Sequence, residues 1–87
     1  MKLTVVTSSE NGPLDREALE MADSLVSEMD EINRVDWDDE SSDAIKALYD
    51  VVESPALLLT REDGSLLELW QGRLPTLSEI KYRSGGV

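Results

Sequence analysis

The chain has 87 residues, 40% of them hydrophobic and 31% charged, which predicts one small globular domain. It contains no cysteine and no histidine, so disulfide exchange and a Ser-His-Asp triad are impossible and a zinc site is not expected. The net charge of −11 repels phosphate backbones and anionic membrane surfaces, so we expect neither a nucleic-acid nor a membrane partner.

The first part of the chain predicts a strand followed by a long helix. β-Branched and apolar residues over 2–7 predict the strand. A turn cluster follows, in which Asn11 or Gly12 caps the helix and Pro13 occupies its first turn, where a missing N–H costs nothing. Apolar residues recur at helical spacing, which predicts a helix that ends near Asp30. That apolar stripe consists of Leu14, Ala18, Ala22, Leu25 and Met29, flanked by Leu19 and Val26.

A second strand–helix unit is predicted next. Imperfect alternation over residues 32–37 indicates a strand, and an acidic loop separates it from a short helix over 44–49. We expect Ser42 or Asp43 to cap that helix. Its inward face is predicted to consist of Ile45, Leu48 and Tyr49.

The stretch around Pro55 predicts a β-hairpin over residues 55–70. Proline is tolerated at the first position of a strand, and the apolar run that follows it predicts a strand covered on both faces. Asp63-Gly64 favours a tight turn, and the returning strand begins at Leu66.

A last helix is predicted over residues 77–82. Thr76 is its expected N-cap, with Glu79 at the capping-box spacing. The domain is therefore predicted to span residues 1–83, and residues 84–87 to form a flexible tail.

The predicted fold class is α/β, with the element order β-α-β-α-β-β-α. The first two strands require a parallel pair joined by a right-handed crossover, and the hairpin adds two antiparallel strands. A mixed four-stranded sheet with helices on both faces is the simplest packing. The chain has no apolar run near the roughly 20 residues of a membrane span, and no signal-peptide pattern, so we expect a cytoplasmic protein.

Several local motifs together resemble the thioredoxin superfamily, over nearly the whole chain and best between residues 35 and 74. They are Val35-Asp36, Leu48-Tyr49, the segment Asp50–Ala56 with its proline, Asp63-Gly64, Gly72 and Leu74-Pro75. The length and strand count resemble those of the small, glutaredoxin-sized members. The resemblance implies a thioredoxin-like fold and a cis Ser54–Pro55 peptide bond.

The same resemblance implies the position of a degenerate active site. The family's Cys-Gly-Pro-Cys motif corresponds to Asn11-Gly12-Pro13-Leu14, where both sulfurs are missing. This departure excludes the family's thiol-disulfide oxidoreductase activity. The first turn, with Asp15 and Glu17 near the positive helix end, offers N–H groups to an anion or a carbonyl group. Alternatively, Asn11 only caps the helix.

The backbone before Pro55 is where family members pair with an extended peptide or glutathione. Main-chain hydrogen bonds to such a ligand would survive the loss of the cysteines. The predicted binding residues are therefore Asn11, Gly12, Pro13, Leu14, Ser54, Pro55 and Gly72. The predicted function is a protein- or peptide-binding adaptor module without redox activity, acting as a monomer or weak dimer, without cofactor or metal. Alternatives are a glutathione-binding enzyme that lacks its own thiol, a structural subunit of a larger assembly, or an inherited turn without a ligand.

Other candidate sites have simpler explanations. The acidic loop begins like an EF-hand, but Ser41 and Ala47 stand where the motif needs Gly and Glu, so calcium binding is rejected. Ser8 and Ser9 have no histidine to activate them and are expected to be turn hydroxyls. Trp37 and Trp70 are expected to cover the core at strand ends.

Overall fold

The computed structural model describes residues 1–8 and 12–83. The predicted helix cap at Asn11 and the predicted tail over 84–87 lie outside these described residues. The elements in chain order are β1 (Lys2–Thr7), α1 (Pro13–Ser24), a 3₁₀ turn (Val26–Glu28), β2 (Glu31–Asp36), α2 (Ser41–Tyr49), β3 (Ala56–Thr60), β4 (Leu66–Gln71) and α3 (Leu77–Arg83).

The four strands form one mixed sheet in the order β2-β1-β3-β4. β1 pairs with β2 in parallel, while β1 with β3 and β3 with β4 are antiparallel. The register places Val6 opposite Ala56 and Leu57 opposite Trp70. The predicted α/β class, element order and mixed four-stranded sheet are confirmed.

The two central strands are covered on both faces. Because side chains alternate along a strand, Leu57 and Leu59 pack on one face and Ala56 and Leu58 on the other. The first face carries residues of α1 and α3, and the second carries residues of α2. All five residues of β3 are buried, as the apolar run predicts. Helices therefore cover both faces of the sheet.

α1 ends at Ser24, six residues before the predicted end near Asp30. The hydroxyl of Ser24 donates to the carbonyl oxygen of Glu20, and Leu25 donates its N–H to the carbonyl oxygen of Ala22, three residues back. These bonds tighten the chain into the 3₁₀ turn, a common way for an α-helix to end. Leu25 and Met29 are still buried, but they lie outside the helix.

The buried stripe of α1 also differs from the predicted one. Leu14 is 37% exposed and Val26 is 56% exposed, whereas Asp15 is buried with Ala18 and Ala22. Positions 15, 18 and 22 are spaced by three and four residues, so they lie on one helix face. The apolar residue at position 14 is one position off that face.

α2 begins at Ser41, and its N-cap position is Glu40, not Ser42 or Asp43. Ser42 is instead buried inside the first turn, where its hydroxyl donates to the carbonyl oxygens of Trp37 (2.9 Å) and Asp39 (2.7 Å). The N–H groups of the first turn have other acceptors, since Ser41 donates to Oδ1 of Asp39 and Ser42 donates to the carbonyl oxygen of Asp39.

The prediction that Leu48 points inward is wrong, because this side chain is 72% exposed. Ile45 and Tyr49 pack on the sheet as predicted, and the hydroxyl of Tyr49 donates to the carbonyl oxygen of Gly64. Only a narrow face of this nine-residue helix contacts the sheet, and Leu48 lies beside it. β2 is displaced by one residue from the predicted range 32–37.

The hairpin turn and the last helix follow their local sequence signals. The backbone N–H and the hydroxyl of Ser65 donate to the carboxylate of Asp63, which holds the pKa of Asp63 below its usual value. Gly64 takes a φ of 89°, as the Asp-Gly turn requires. Thr76 Oγ1 accepts the N–H of Glu79 at 3.1 Å, which confirms the predicted cap of α3.

No helix in residues 1–8 and 12–83 has the length and apolar character needed to cross a membrane.

We predict that Thr76→Ala lowers the free energy of unfolding by about 1 kcal/mol, because the N–H of Glu79 loses its acceptor. Thr76→Ser is the matched control, since it keeps the hydroxyl, and it should lose much less. Urea unfolding followed by tryptophan fluorescence measures both. Equal losses in the two variants would show that the hydroxyl does not cap α3.

Candidate functional site

Four chain segments meet at one end of the sheet. β1 and β2 run in parallel and end there, and the N–H of Trp37 donates to the carbonyl oxygen of Thr7 at 2.7 Å. β3 begins at the same end because Ala56 lies opposite Val6, and β4 finishes there because Gln71 lies opposite Ala56. The beginning of α1 follows β1 at this end. Polar groups from distant parts of the sequence are thereby brought together.

Pro55 and Gly72 are joined by a backbone hydrogen bond. The N–H of Gly72 donates to the carbonyl oxygen of Pro55 at 3.0 Å. The Ser54–Pro55 peptide bond is cis, as predicted. Gly72 has a φ of 73°, and a Cβ there would meet the carboxylate group of Glu53. This position therefore favours glycine by conformation, since the nearby atoms belong to the end of an exposed, flexible side chain.

α1 begins with the predicted Gly12-Pro13 pair. Gly12 is the N-cap residue with φ 71° and ψ −129°, and it has no side-chain cap, while Pro13 occupies the first turn. The N–H of Arg16 donates to the carbonyl oxygen of Gly12 at 3.2 Å, which closes that turn. The helix start matches the prediction, except that Leu14 faces partly outward.

A cavity of about 340 Å³ lies between this first turn and the carboxyl ends of β1 and β2. Crevices at the carboxyl ends of parallel strands are common ligand sites in α/β proteins. The described residues that line it are Thr7, Ser8, Gly12, Asp15, Arg16, Leu19 and Asp36. Two acidic residues, one arginine and one leucine are therefore among the residues around this space.

Asp15 is the most unusual residue in the cavity lining. It is only 3% exposed, and its Oδ2 accepts the backbone N–H of Ser8 at 2.5 Å. This bond ties the end of β1 to the first turn of α1. Among the residues that the structure describes, Oδ1 of Asp15 is buried and has no hydrogen-bond partner.

Asp15 is predicted from the sequence to lie near the positive end of the helix dipole, and its burial is not predicted. The signal that could have shown this is the spacing of the helix stripe. Extending the buried positions Ala22 and Ala18 back by three residues leads to Asp15, not to Leu14. A carboxylate on the buried face of a helix is rare unless it has a partner.

The predicted binding residues fall into two groups. Pro55 and Gly72 are in direct contact, with Ser54 adjacent in the chain, whereas Gly12 lies in the cavity lining. Ser54, Pro55 and Gly72 are outside that lining, and Asn11 is outside the described residues. The buried carboxylate of Asp15 makes the first turn of α1 unfavourable for an anion, which weighs against an anion site there.

Carboxylate groups of the acidic loop accept hydrogen bonds from backbone N–H groups of the same loop. Oδ1 of Asp36 accepts the N–H of Asp38, and Oδ1 of Asp39 accepts the N–H of Ser41, both at 3.0 Å. Residues 1–8 and 12–83 contain no group of three or more acidic side chains positioned to hold a metal ion. The ammonium group of Lys46 lies 4.0 Å from the centre of the Trp37 ring, so that tryptophan is engaged within the domain.

The comparisons with known proteins give no family assignment. No protein-family model matches this chain, and no curated protein matches it in sequence. A functional assignment therefore has to rest on the geometry of the chain itself.

We predict that Gly72→Ala lowers the free energy of unfolding by about 1–2 kcal/mol, the cost of a positive φ at a residue with a Cβ. Adding Glu53→Ala should restore little of this loss. The atoms that the new Cβ would meet belong to the end of an exposed, flexible side chain, which can move away. Urea unfolding of the single and double variants tests this, and full recovery in the double variant would show that crowding, not φ, is the cause.

Proposed function

We propose that the chain is a thioredoxin-like domain without thiol chemistry that binds an extended segment of a partner protein. We call the binding surface the Pro55 surface; its described residues are Gly12, Pro13, Leu14, Ser54, Pro55 and Gly72, and the predicted binding residue Asn11 lies outside the described residues. The observation that carries the proposal is the gathering of Pro55, Gly72 and the start of α1 at one end of the sheet.

The strand order supports the thioredoxin-like part of the proposal. The order β2-β1-β3-β4, with a parallel β1–β2 pair and a β3–β4 hairpin, is compatible with that fold. Gly12 and Pro13 open the first helix, where the family carries the middle of its redox motif. Pro55 directly precedes β3, where the family has its proline.

Binding rather than catalysis is favoured by the side chains that are missing. The chain has neither cysteine nor histidine, so the surface lacks a thiolate and an imidazole base. Strand-like recognition needs only main-chain groups and apolar contacts. Exposed apolar side chains are present there, since Leu14 of the surface is 37% exposed and Val52, two residues before Ser54, is 75% exposed. A cytoplasmic location is part of this proposal.

The test is an NMR titration of the ¹⁵N-labelled protein with a pool of unbiased seven-residue peptides and, separately, with reduced glutathione. We expect peptide-induced shifts of the amides of Gly12, Leu14, Ala56 and Gly72. Ser54→Trp should abolish them by filling the surface. Ser78→Trp is the matched control on the exposed face of α3 and should leave them unchanged.

Each outcome of this titration has a distinct meaning. Shifts with glutathione but not with peptides would replace the proposal by the glutathione-binding alternative. Shifts at other positions, or none with either probe, would contradict a role for the Pro55 surface. A Ser54→Trp variant that still shows the wild-type shifts would do the same.

A second prediction tests the correspondence with the redox motif. In the variant Asn11→Cys, Leu14→Cys, the two thiols should form an intramolecular disulfide under mild oxidation, because the motif places them within bridging distance. The control pair Leu14→Cys, Ser24→Cys stands at opposite ends of α1, about 15 Å apart by the helix rise, and cannot be bridged. Thiol counting by mass spectrometry distinguishes the cases. Two free thiols in the first variant would refute the correspondence.

A further inference from the structure

We infer that the Asp-Gly pair between β3 and β4 is a site of spontaneous covalent modification, at which Asp63 cyclises onto the nitrogen of Gly64 and reopens as isoaspartate, and that the hydrogen bonds around the pair restrain this reaction in the folded chain. The segment over residues 61–65 is named here the Asp63 turn. It lies at the end of the sheet opposite to the Pro55 surface, because Thr60 pairs with Lys2 while Ala56 pairs with Val6. The inference therefore goes beyond the proposed function and is independent of it.

The reaction needs only the chain and water. The nitrogen of Gly64 attacks the side-chain carboxyl carbon of Asp63, a C–N bond forms, and the N–H proton and the carboxyl hydroxyl leave together as water. Water then adds to the cyclic imide and breaks one of its two C–N bonds. Breaking the bond to the side-chain carbon restores aspartate, whereas breaking the bond to the main-chain carbonyl carbon leaves isoaspartate.

The pair has the local features that ring closure requires. Asp63-Gly64 is the only Asp-Gly pair in the chain, and both residues are exposed to water. Gly64 has no side chain to shield its nitrogen, and its backbone reaches conformations that other residues rarely adopt, including the φ of 89° seen here. The sequence alone therefore marks this pair as reactive, and its surroundings decide how fast it reacts.

The first restraint acts on the carboxyl group of Asp63. Its Oδ1 accepts the backbone N–H of Ser65 at 2.9 Å and the hydroxyl of Ser65 at 2.7 Å. Both bonds favour the charged carboxylate over the neutral acid, and they hold the pKa of Asp63 below its usual value, the N–H of Ser65 contributing most. Ring closure expels the hydroxyl of the neutral acid, so these bonds reduce the reactive form near neutral pH.

The second restraint acts on the attacking nitrogen and the main chain beside it. The N–H of Gly64 donates to the carbonyl oxygen of Arg61, and the N–H of Arg61 donates to the carbonyl oxygen of Ser65, both at 3.0 Å. The hydroxyl of Tyr49 donates to the carbonyl oxygen of Gly64 at 2.6 Å. The imide has no N–H at this nitrogen, so the bond to Arg61 is lost on ring closure. The reaction rate therefore follows the population of an opened turn.

Modification would change the hairpin itself. Isoaspartate carries the main chain through the side-chain carbons, which lengthens the backbone between residues 63 and 64. The register of a hairpin depends on the type and length of its turn, so a lengthened turn no longer closes with the same hydrogen bonds. The modified chain is therefore expected to hold β4 less firmly against β3.

The experiment ages the full chain at neutral pH and compares folded protein with protein unfolded in urea. Electron-transfer fragmentation in a mass spectrometer distinguishes isoaspartate from aspartate at each residue. It also separates Asp63 from Asn11-Gly12, a pair that forms the same imide with loss of ammonia. We expect isoaspartate at residue 63 to form at least tenfold more slowly in the folded wild-type chain than in the unfolded one.

The variant Ser65→Ala removes the hydroxyl donor but keeps the N–H donor to Asp63. We expect it to raise the rate in the folded chain roughly two- to tenfold, as the loss of one hydrogen bond implies. Thr76→Ala is the matched control, because it weakens the cap of α3 and leaves the bonds of the Asp63 turn in place. It should change the rate less than twofold. Each rate is divided by that of the same variant in urea, which removes direct effects of sequence on the chemistry.

Four results would overturn the inference. Absence of isoaspartate at residue 63 in urea would show that the pair is not reactive. Equal rates in the folded and unfolded wild-type chains would show that the turn offers no restraint. A rise of less than twofold in Ser65→Ala would show that the hydroxyl has no part in it. An equal rise in Ser65→Ala and Thr76→Ala would show that only global unfolding matters. None of these results bears on peptide binding at the Pro55 surface, so the two proposals fail separately.

Discussion

The pairing of β1 with β3 is the constraint on which the rest of the structure depends. Both strands are buried on both faces, and fully burying one Val or Leu side chain contributes roughly 1.5–3 kcal/mol. The pattern alone does not fix their register, because Leu57, Leu58 and Leu59 would suit either face of the sheet. Across the β1–β3 pair the hydroxyl of Thr60 donates to the carbonyl oxygen of Lys2. The register of β3 with β4 is limited at the two ends of β3. At one end the carbonyl oxygen of Pro55 accepts the N–H of Gly72, and at the other the Asp-Gly turn leads into β4.

The same pairing positions both candidate sites. Because Ala56 lies opposite Val6, the chain before Pro55 and the chain after β1 lie at one end of the sheet. The Pro55 surface and the cavity lined by Asp15 are therefore neighbours at this end of the sheet, and both include Gly12 at the start of α1. In our proposal, a thioredoxin-like scaffold without its sulfur atoms keeps this end of the sheet as a binding surface.

The sequence predicts those parts of the fold that depend on local chemistry. The apolar run after Pro55, the Asp-Gly turn and the Thr76 cap each act over a few residues, and the structure confirms them. The end of α1 and the outward position of Leu48 depend on which helix face meets the sheet, and composition alone does not show this. The burial of Asp15 was readable from helix spacing, but its charge suggested an exposed position. The cavity itself requires the ends of β1 and β2 to meet, which only the tertiary pairing brings about.

The most direct measurement of this account is the set of interstrand NOEs of the free protein in solution. The account predicts antiparallel contacts that join Val6 to Ala56 and Leu57 to Trp70, together with parallel contacts between Val5 and Arg34. A β1–β3 register displaced by even one residue would contradict it, because the segment before Pro55 would then no longer meet the end of β1 in this arrangement.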